Sequence, residues 1–189
     1  MVLWMARAKP RRAKLSREFI AEQAVALVDA EGLEALSMRA LGRACGVQAM
    51  SLYRYVQNKD DLLDAMQEAI VAQMREVEAT EDWRSGIDAI ARELRRVLAA
   101  HPRAILLFVR PAATDGSFAA LGQAWTLLDE AGLSELDALR AVQSLLAFVV
   151  GQALWQFTAE VERQADDEFE FGLDLMLRGL AQRIEAAGA

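Results

Sequence analysis

Gln48, Ala49, Met50, Ser51 and Arg54 have the residue types and the spacing of a surface that reads another molecule. On a short helix expected over 48–55 they fall on the outward side, with Leu52 turned inward. Amide, hydroxyl, guanidinium and methyl groups gathered on so short a helix form a set that can face a major groove of DNA. Constellations for catalysis are missing from the sequence: it has no Glu-x-x-His pair, no Gly-x-Ser-x-Gly and no glycine loop able to cradle phosphates. His101 is the one histidine, and no organised carboxylate set accompanies it, so neither a metal nor a cofactor is expected. Its place directly before Pro102 suits a loop or a C-terminal helix cap. Cys45, the one cysteine, excludes an internal disulfide and a cysteine-based zinc cluster, which points to a cytoplasmic protein. Its position in a short helix suggests burial in a small core and not a nucleophile. The chain reads as something other than an enzyme.

The elements that must hold the outward set are legible around it. Ser37 can cap a short helix from Met38 to about Cys45, Gly46 closes it where the chain turns sharply, and the helix over 48–55 follows. Leu36, Leu41, Ala44, Val47, Leu52 and Val56 are the expected core positions of this pair. Before them, Ser16 caps a first helix that ends near Glu31 at Gly32, with Ile20, Ala24, Leu27 and Val28 on one face. After them, Asn58 caps a fourth helix expected over 59–77, with Asp61 at the third position able to reach back and Asp60 complementing the dipole. Further helices are expected over 83–100, 103–109, 117–131, 134–158 and 168–187. His101-Pro102, the stretch 110–116 and Gly132 punctuate them. With few β-branched runs, three prolines and no lasting strand-like alternation, the fold class is all-α.

Charge is distributed unevenly. The formal net charge is -7, yet residues 1–59 carry ten Lys/Arg against five acids, while the remainder carries eleven against twenty-three. A basic head on an acidic body points to a polyanionic partner at one end only. Residues 1–14 read as a disordered basic arm that either follows a minor groove or adds non-specific charge. The stretch before Arg7 is too short for the apolar region of a secretory signal. The charge-free run 141–159 is long enough to span a bilayer, but Gln143, Ser144, Gln152, Gln156 and Thr158 interrupt it. A helix covered within a soluble bundle explains it better, and no membrane partner is expected.

The stretch 37–59 closely resembles the DNA-binding domain of TetR-family regulators. The family pattern runs Thr-x-Arg-x-Leu-Ala-x-x-Leu-Gly-Val and then Leu-Tyr-x-His-Val-x-x-Lys. It stands here as Ser37, Arg39, Leu41, Gly46-Val47, Leu52-Tyr53, Val56 and Lys59, and the run 26–33 resembles the family's first helix and its exit. The match spans about 15–63. Beyond it the resemblance lies in helix number and spacing, and is greatest to the tetracycline-repressor branch. The resemblance implies that Arg39 reaches a guanine edge or a phosphate, and that Gln48, Ala49, Met50 and Ser51 open the recognition helix. Gln48 would bond base edges, and Ala49 and Met50 would meet thymine methyls. Tyr53 and Lys59 would hold phosphates, and Arg54 would read a base or the backbone. Tyr55 departs from the pattern, standing where the family has His or another aromatic, though its hydroxyl still offers a phosphate a hydrogen bond.

The resemblance further implies a homodimer on a palindromic double-stranded operator, released when a small molecule enters the C-terminal helices. The expected organisation is a basic arm over 1–14, a three-helix, helix-turn-helix DNA-binding domain over 15–59, a connecting helix over 60–79 and an effector-binding and dimerisation domain over 80–189. Aromatic residues that could line an effector pocket are Phe108, Phe118, Trp125, Phe148, Trp155 and Phe157, with His101, Arg110, Gln152 and Gln156 as polar points. They suit a hydrophobic effector, planar or cationic, while any single aromatic among them is better explained by an ordinary helical core. For the dimer, the candidates are Leu139, Val142, Leu146 and Val149 on one helix and Gly172, Met176, Leu177 and Gly179 on the last. Two such helices from each subunit would close a four-helix bundle, the alternative being one large monomeric core. A constitutive DNA-binding or protein-recruiting regulator without an effector is the rival function.

Overall fold

Polar side chains start the N-terminal helices where their types require it. Ser16 Oγ accepts from the Phe19 amide at 3.2 Å and opens α1, Arg17–Glu31. Ser37 Oγ accepts from Ala40 at 3.2 Å and opens α2, Met38–Ala44, which α3, Ala49–Leu52, follows. Asn58 Oδ1 accepts from Asp61 at 2.9 Å, while Asp61 Oδ2 reaches back to the Gln57 amide at 2.7 Å, so α4, Lys59–Val71, begins on a reciprocal cap. The computed structural model describes residues 14–75, 77, 82–110, 119–158 and 162–188. The arm, apart from Lys14, the loop after Arg110, Ser117 and Phe118 lie outside the described residues. Beyond α4 come α5, Trp83–Ala100; a 3-10 segment, Pro102–Val109; α6, Ala119–Glu130; α7, Glu135–Thr158; and α8, Glu162–Ala187. Every regular element among the described residues is helical.

Several boundaries differ from the sequence expectation. α3 stops at Leu52 because the amides of Tyr55 and Val56 both turn back to the Leu52 carbonyl, which drives Val56 fully into the core. α4 ends six residues earlier than expected. The Arg75 amide leaves the helical ladder for Glu93 Oε1 on α5, at 2.7 Å. α8 starts six residues earlier, its acid-rich opening suited to a helix N-terminus, and Asp166 binds Arg95 of α5 at 2.5 Å. Ala44 is exposed and not a core residue. Cys45 and Val47 are half-buried against the head core, and burial pushes the Cys45 thiol up from its ordinary value.

Two cores result. The head core joins Ile20, Val28, Leu41, Leu52, Val56, Leu62, Met66 and Ile70, and it is completed by Val97 of α5 and by Ala104 and Leu107. The body core joins α5 to α8 through residues such as Ile90, Leu94, Leu128, Val142, Val149, Phe169 and Leu173, and takes in Ile105. The segment 102–109 serves both because a 3-10 helix repeats every three residues. Ala104 and Leu107 enter the head core, Ile105 enters the body core with Phe108 packed against both, and Arg103, Leu106 and Val109 stay exposed. α7 is the one described helix long and apolar enough to cross a membrane, over Glu135–Gln156. α5, the 3-10 segment, α6 and α8 all pack on it.

Candidate nucleic-acid interface and effector body

The turn between α2 and α3 sets the candidate interface. Gly46 holds φ at +67°, a left-handed conformation that an L side chain adopts only with strain. Gly42, which the sequence reading passed over, matters through space. A Cβ there would lie 3.0 Å from both the Ala49 amide nitrogen and the Val47 carbonyl oxygen, so the start of α3 rests on bare backbone. That close seat leaves one turn of helix standing out from the head. Met50 is 75% exposed; Gln48, Tyr53, Arg54 and Tyr55 are exposed, and Ala49 and Ser51 are half-exposed. Ser37, although exposed, uses its hydroxyl as the α2 cap.

Charge pairing is common on the body, although Arg75, Arg103 and Arg183 are exposed without a carboxylate within 4 Å among the described residues. Arg84, Arg92, Arg95, Arg96, Arg110, Arg140 and Arg178 each sit within 4 Å of a carboxylate. Arg39, Arg43, Arg54 and Lys59 are exposed and have no carboxylate partner among the described residues. Arg43 was not among the candidates. Its signal was the i, i+4 spacing from Arg39, which puts both guanidinium groups on one face of α2. A cation already neutralised by a neighbour has little left for a phosphate, whereas these four carry their charge at the surface around α3.

The expected effector residues do not converge. His101 caps α5 and contacts Asp29 and Gln73, at the junction of head and body. Arg110 turns to α4, where its guanidinium donates to Asp64 at 2.6 Å and to Asp60 at 3.3 Å, and Asp64 is 3% exposed. Phe148 stacks on Phe169 with ring centroids 5.4 Å apart, inside the bundle. Trp125 is half-buried against the body core and Gln152 is half-buried; Trp155 is 64% exposed and faces outward. The side chain of Phe157 lies outside the described residues. Phe108 touches both cores, which makes it the member of the set best placed to report on both. Beside it, Gln67 of α4 donates to the Leu107 carbonyl at 2.7 Å, and its buried Oε1 has no hydrogen-bond partner among the described residues.

The expected dimer face needs a different register. Val142, Val149 and Leu177 are buried in the core of their own chain, and Leu146 and Met176 are half-buried against it. Gly172 makes room within the chain, since a Cβ there would fall 2.5 Å from the Phe148 ring. Leu139 and Gly179 are open, as expected. The outward stripes at helical spacing are Leu136, Leu139, Ala147, Gly151 and Trp155 on α7, and Phe171, Leu175 and Gly179 on α8. Sequence periodicity marked α7 as apolar nearly all round. It could not say which side its own chain covers.

Comparison with known proteins agrees with this geometry. Residues 20–66 match the model for bacterial regulatory proteins of the tetR family, and residues 77–164 match that for the tetracyclin repressor-like C-terminal domain. An HTH-type transcriptional regulator of Saccharopolyspora erythraea is 35% identical over 84% of this chain and 70% of its own length. The HTH-type transcriptional repressor DrrR1 of Streptomyces coeruleorubidus is 34% identical over 89% of this chain and 66% of its own. Among solved structures, a TetR variant of Acinetobacter baumannii AYE in complex with minocycline superposes with a TM-score of 0.80 at 28% identity, covering 90% of this chain and 99% of that one. BioQ, a protein of Mycobacterium smegmatis, solved with its double-stranded DNA operator, gives 0.72 at 26% identity, covering 89% and 99%.

Proposed function

The chain belongs to the TetR family of DNA-binding transcriptional regulators, and from that premise we propose that it is a cytoplasmic homodimeric repressor that leaves a palindromic operator when a small hydrophobic molecule enters its helical body. The observation that carries the reading is the unpaired cationic set, Arg39, Arg43, Arg54 and Lys59, around a one-turn helix whose tip, Gln48 to Ser51, stands clear of the head. Arg39, Arg43, Tyr53, Arg54, Tyr55 and Lys59 hold phosphates, and Gln48, Ala49, Met50 and Ser51 address base edges.

Two heads on one operator have to sit about 34–36 Å apart, one helical turn of DNA. The apolar stripes of α7 and α8 supply the dimer contact that fixes this distance, closing a four-helix bundle with a second copy. An effector acts through the joint of α4 with the segment 102–109. There Asp64–Arg110 and Gln67–Leu107 tie the head to the body, and the unfilled Gln67 acceptor suits an effector that brings one hydrogen-bond donor among apolar groups. A coupling on the order of 1–3 kcal/mol is enough to release the operator. Minocycline bound in a structural relative supports a small-molecule effector. The test is to titrate the protein–operator complex with planar polycyclic and cationic amphiphilic compounds, minocycline among them. Saturable release by one class supports the reading. Compounds that bind the protein while the operator complex persists would favour a constitutive regulator.

A further inference from the structure

We propose that His101 and Arg103 form a polar latch that grips the end of α1 and the exit of α4, and so fixes the angle at which the DNA-reading head sits on the body. Four chain segments meet at this point. α1 ends at Glu31 with no basic residue in its last turn, so its final carbonyls need outside donors. Arg103 supplies them, its guanidinium donating to the carbonyls of Asp29, at 3.2 Å, and Ala30. His101 closes α5 through its own amide to Leu98, and its carbonyl accepts from Ala104 to begin the 3-10 segment. Its ring Nδ1 donates to Asp29 Oδ2 at 2.7 Å, and its Nε2 lies 3.0 Å from Gln73 Oε1, just past the end of α4. The Gln73 carbonyl in turn accepts from Arg96 of α5 at 3.0 Å.

These bonds do something the neighbouring apolar contacts cannot. Val97, Ala104 and Leu107 complete the head core, but burial of apolar area is non-directional and changes little when one helix rotates slightly on another. Hydrogen bonds weaken steeply with angle, so a set reaching two separate helix ends admits one orientation. The His101 side chain is 12% exposed and that of Asp29 31%, which keeps the contact from being a loose surface pair. Asp29 Oδ1 is buried without a partner among the described residues, a cost that a contact kept only for stability would not carry. His101 and Arg103 are positioning residues, which act through the helices they hold. The inference deepens the proposed function, resting on the reading that the body reports to the head.

The experiment measures the head angle directly. Nitroxide labels at Glu22→Cys on the head and Glu130→Cys on the body, both exposed positions, are placed in a Cys45→Ala background and diluted with unlabelled protein. Pulsed spin-resonance distances are then compared between the parent and His101→Leu. The latch predicts a narrow distribution in the parent, loss of that narrow distribution in His101→Leu with helicity retained, and its recovery in His101→Gln, whose amide can still donate to Asp29. Should the leucine variant not fold, Arg103→Ala, which removes only the grip on the α1 carbonyls, is read the same way. An unchanged distribution in a folded latch variant overturns the proposal. Selected operators are tested in parallel with one base pair inserted between half-sites: the parent discriminates against them and His101→Leu loses that discrimination. If the parent binds no operator, the functional reading fails, while the label distances still decide the latch.

Discussion

Lys59→Ala is the substitution whose effect can be worked out furthest. Each unpaired cation that neutralises a phosphate releases condensed counterion and contributes about -0.9 to the slope of log affinity against log salt concentration. Arg39, Arg43, Arg54 and Lys59 are the exposed cations around α3 without a carboxylate partner among the described residues. Two subunits then offer about eight contacts and a slope near -7, so affinity falls by roughly 10⁴ between about 50 and 200 mM salt. Lys59→Ala removes two of the eight and flattens the slope by about 1.8. Anisotropy of a labelled operator, titrated at four or five salt concentrations, reads the slope. Arg84→Ala is the control, because Arg84 already pairs with Asp174 at 3.2 Å on the body, and its slope stays at the parent value. An unchanged slope in Lys59→Ala, or equal flattening in both variants, would refute the argument from unpaired charge.

Other expected outcomes follow from the same structure. Arg110→Ala leaves the buried Asp64 carboxylate without its guanidinium and costs about 3 kcal/mol, the low end for one-sided loss of a buried pair. That lowers the melting temperature by about 6–12 °C, and the Asp64→Asn/Arg110→Gln double variant recovers part of it; a loss below about 1 kcal/mol would deny the pair its role. Arg96, with help from the Arg75 amide, holds the Glu93 carboxyl at about 2 against an ordinary 4.5. A depressed carboxylate stabilises the fold above its unfolded value and ceases to do so as pH falls through the folded one. Glu93→Gln therefore removes part of the stability loss between about pH 4.5 and 2, and an acid-unfolding curve identical to the parent's would contradict the clamp. Leu175→Glu places a charge on the outward stripe of α8 and yields monomers by sedimentation, whereas the buried Leu177 disrupts folding when charged; an intact Leu175→Glu dimer would place the interface elsewhere.

Local chemistry decided what was legible in the sequence. Ser16, Ser37 and Asn58 cap the helices they were expected to cap, because a short polar side chain before an apolar-periodic run has few other uses. The local fold of the candidate interface around α3 was legible for the same reason: Gly46, Leu41, Leu52 and Val56 fix a small motif through contacts close in the chain. The body was not, because its assignments depend on which elements meet. Val142 and Leu139 lie three residues apart on one apolar helix, and only packing shows that the first faces its own core and the second faces out. His101 caps α5, as its place before Pro102 suggested, but its side-chain contacts were not legible. Its partner Asp29 is 72 residues distant in the sequence, and no periodicity connects them. The end of α4 was misplaced because Glu93, from the next helix, takes the Arg75 amide.

The central claim, a dimeric reader of DNA built on the exposed α3 tip, is tested most directly by selecting duplexes from a randomised library with the purified protein at two salt concentrations. The expected result is enrichment of a palindrome whose half-site centres lie about 10 base pairs apart, with affinity falling steeply as salt rises. Weak binding that shares the salt dependence but enriches no sequence would contradict it, leaving a cationic head without a specific target.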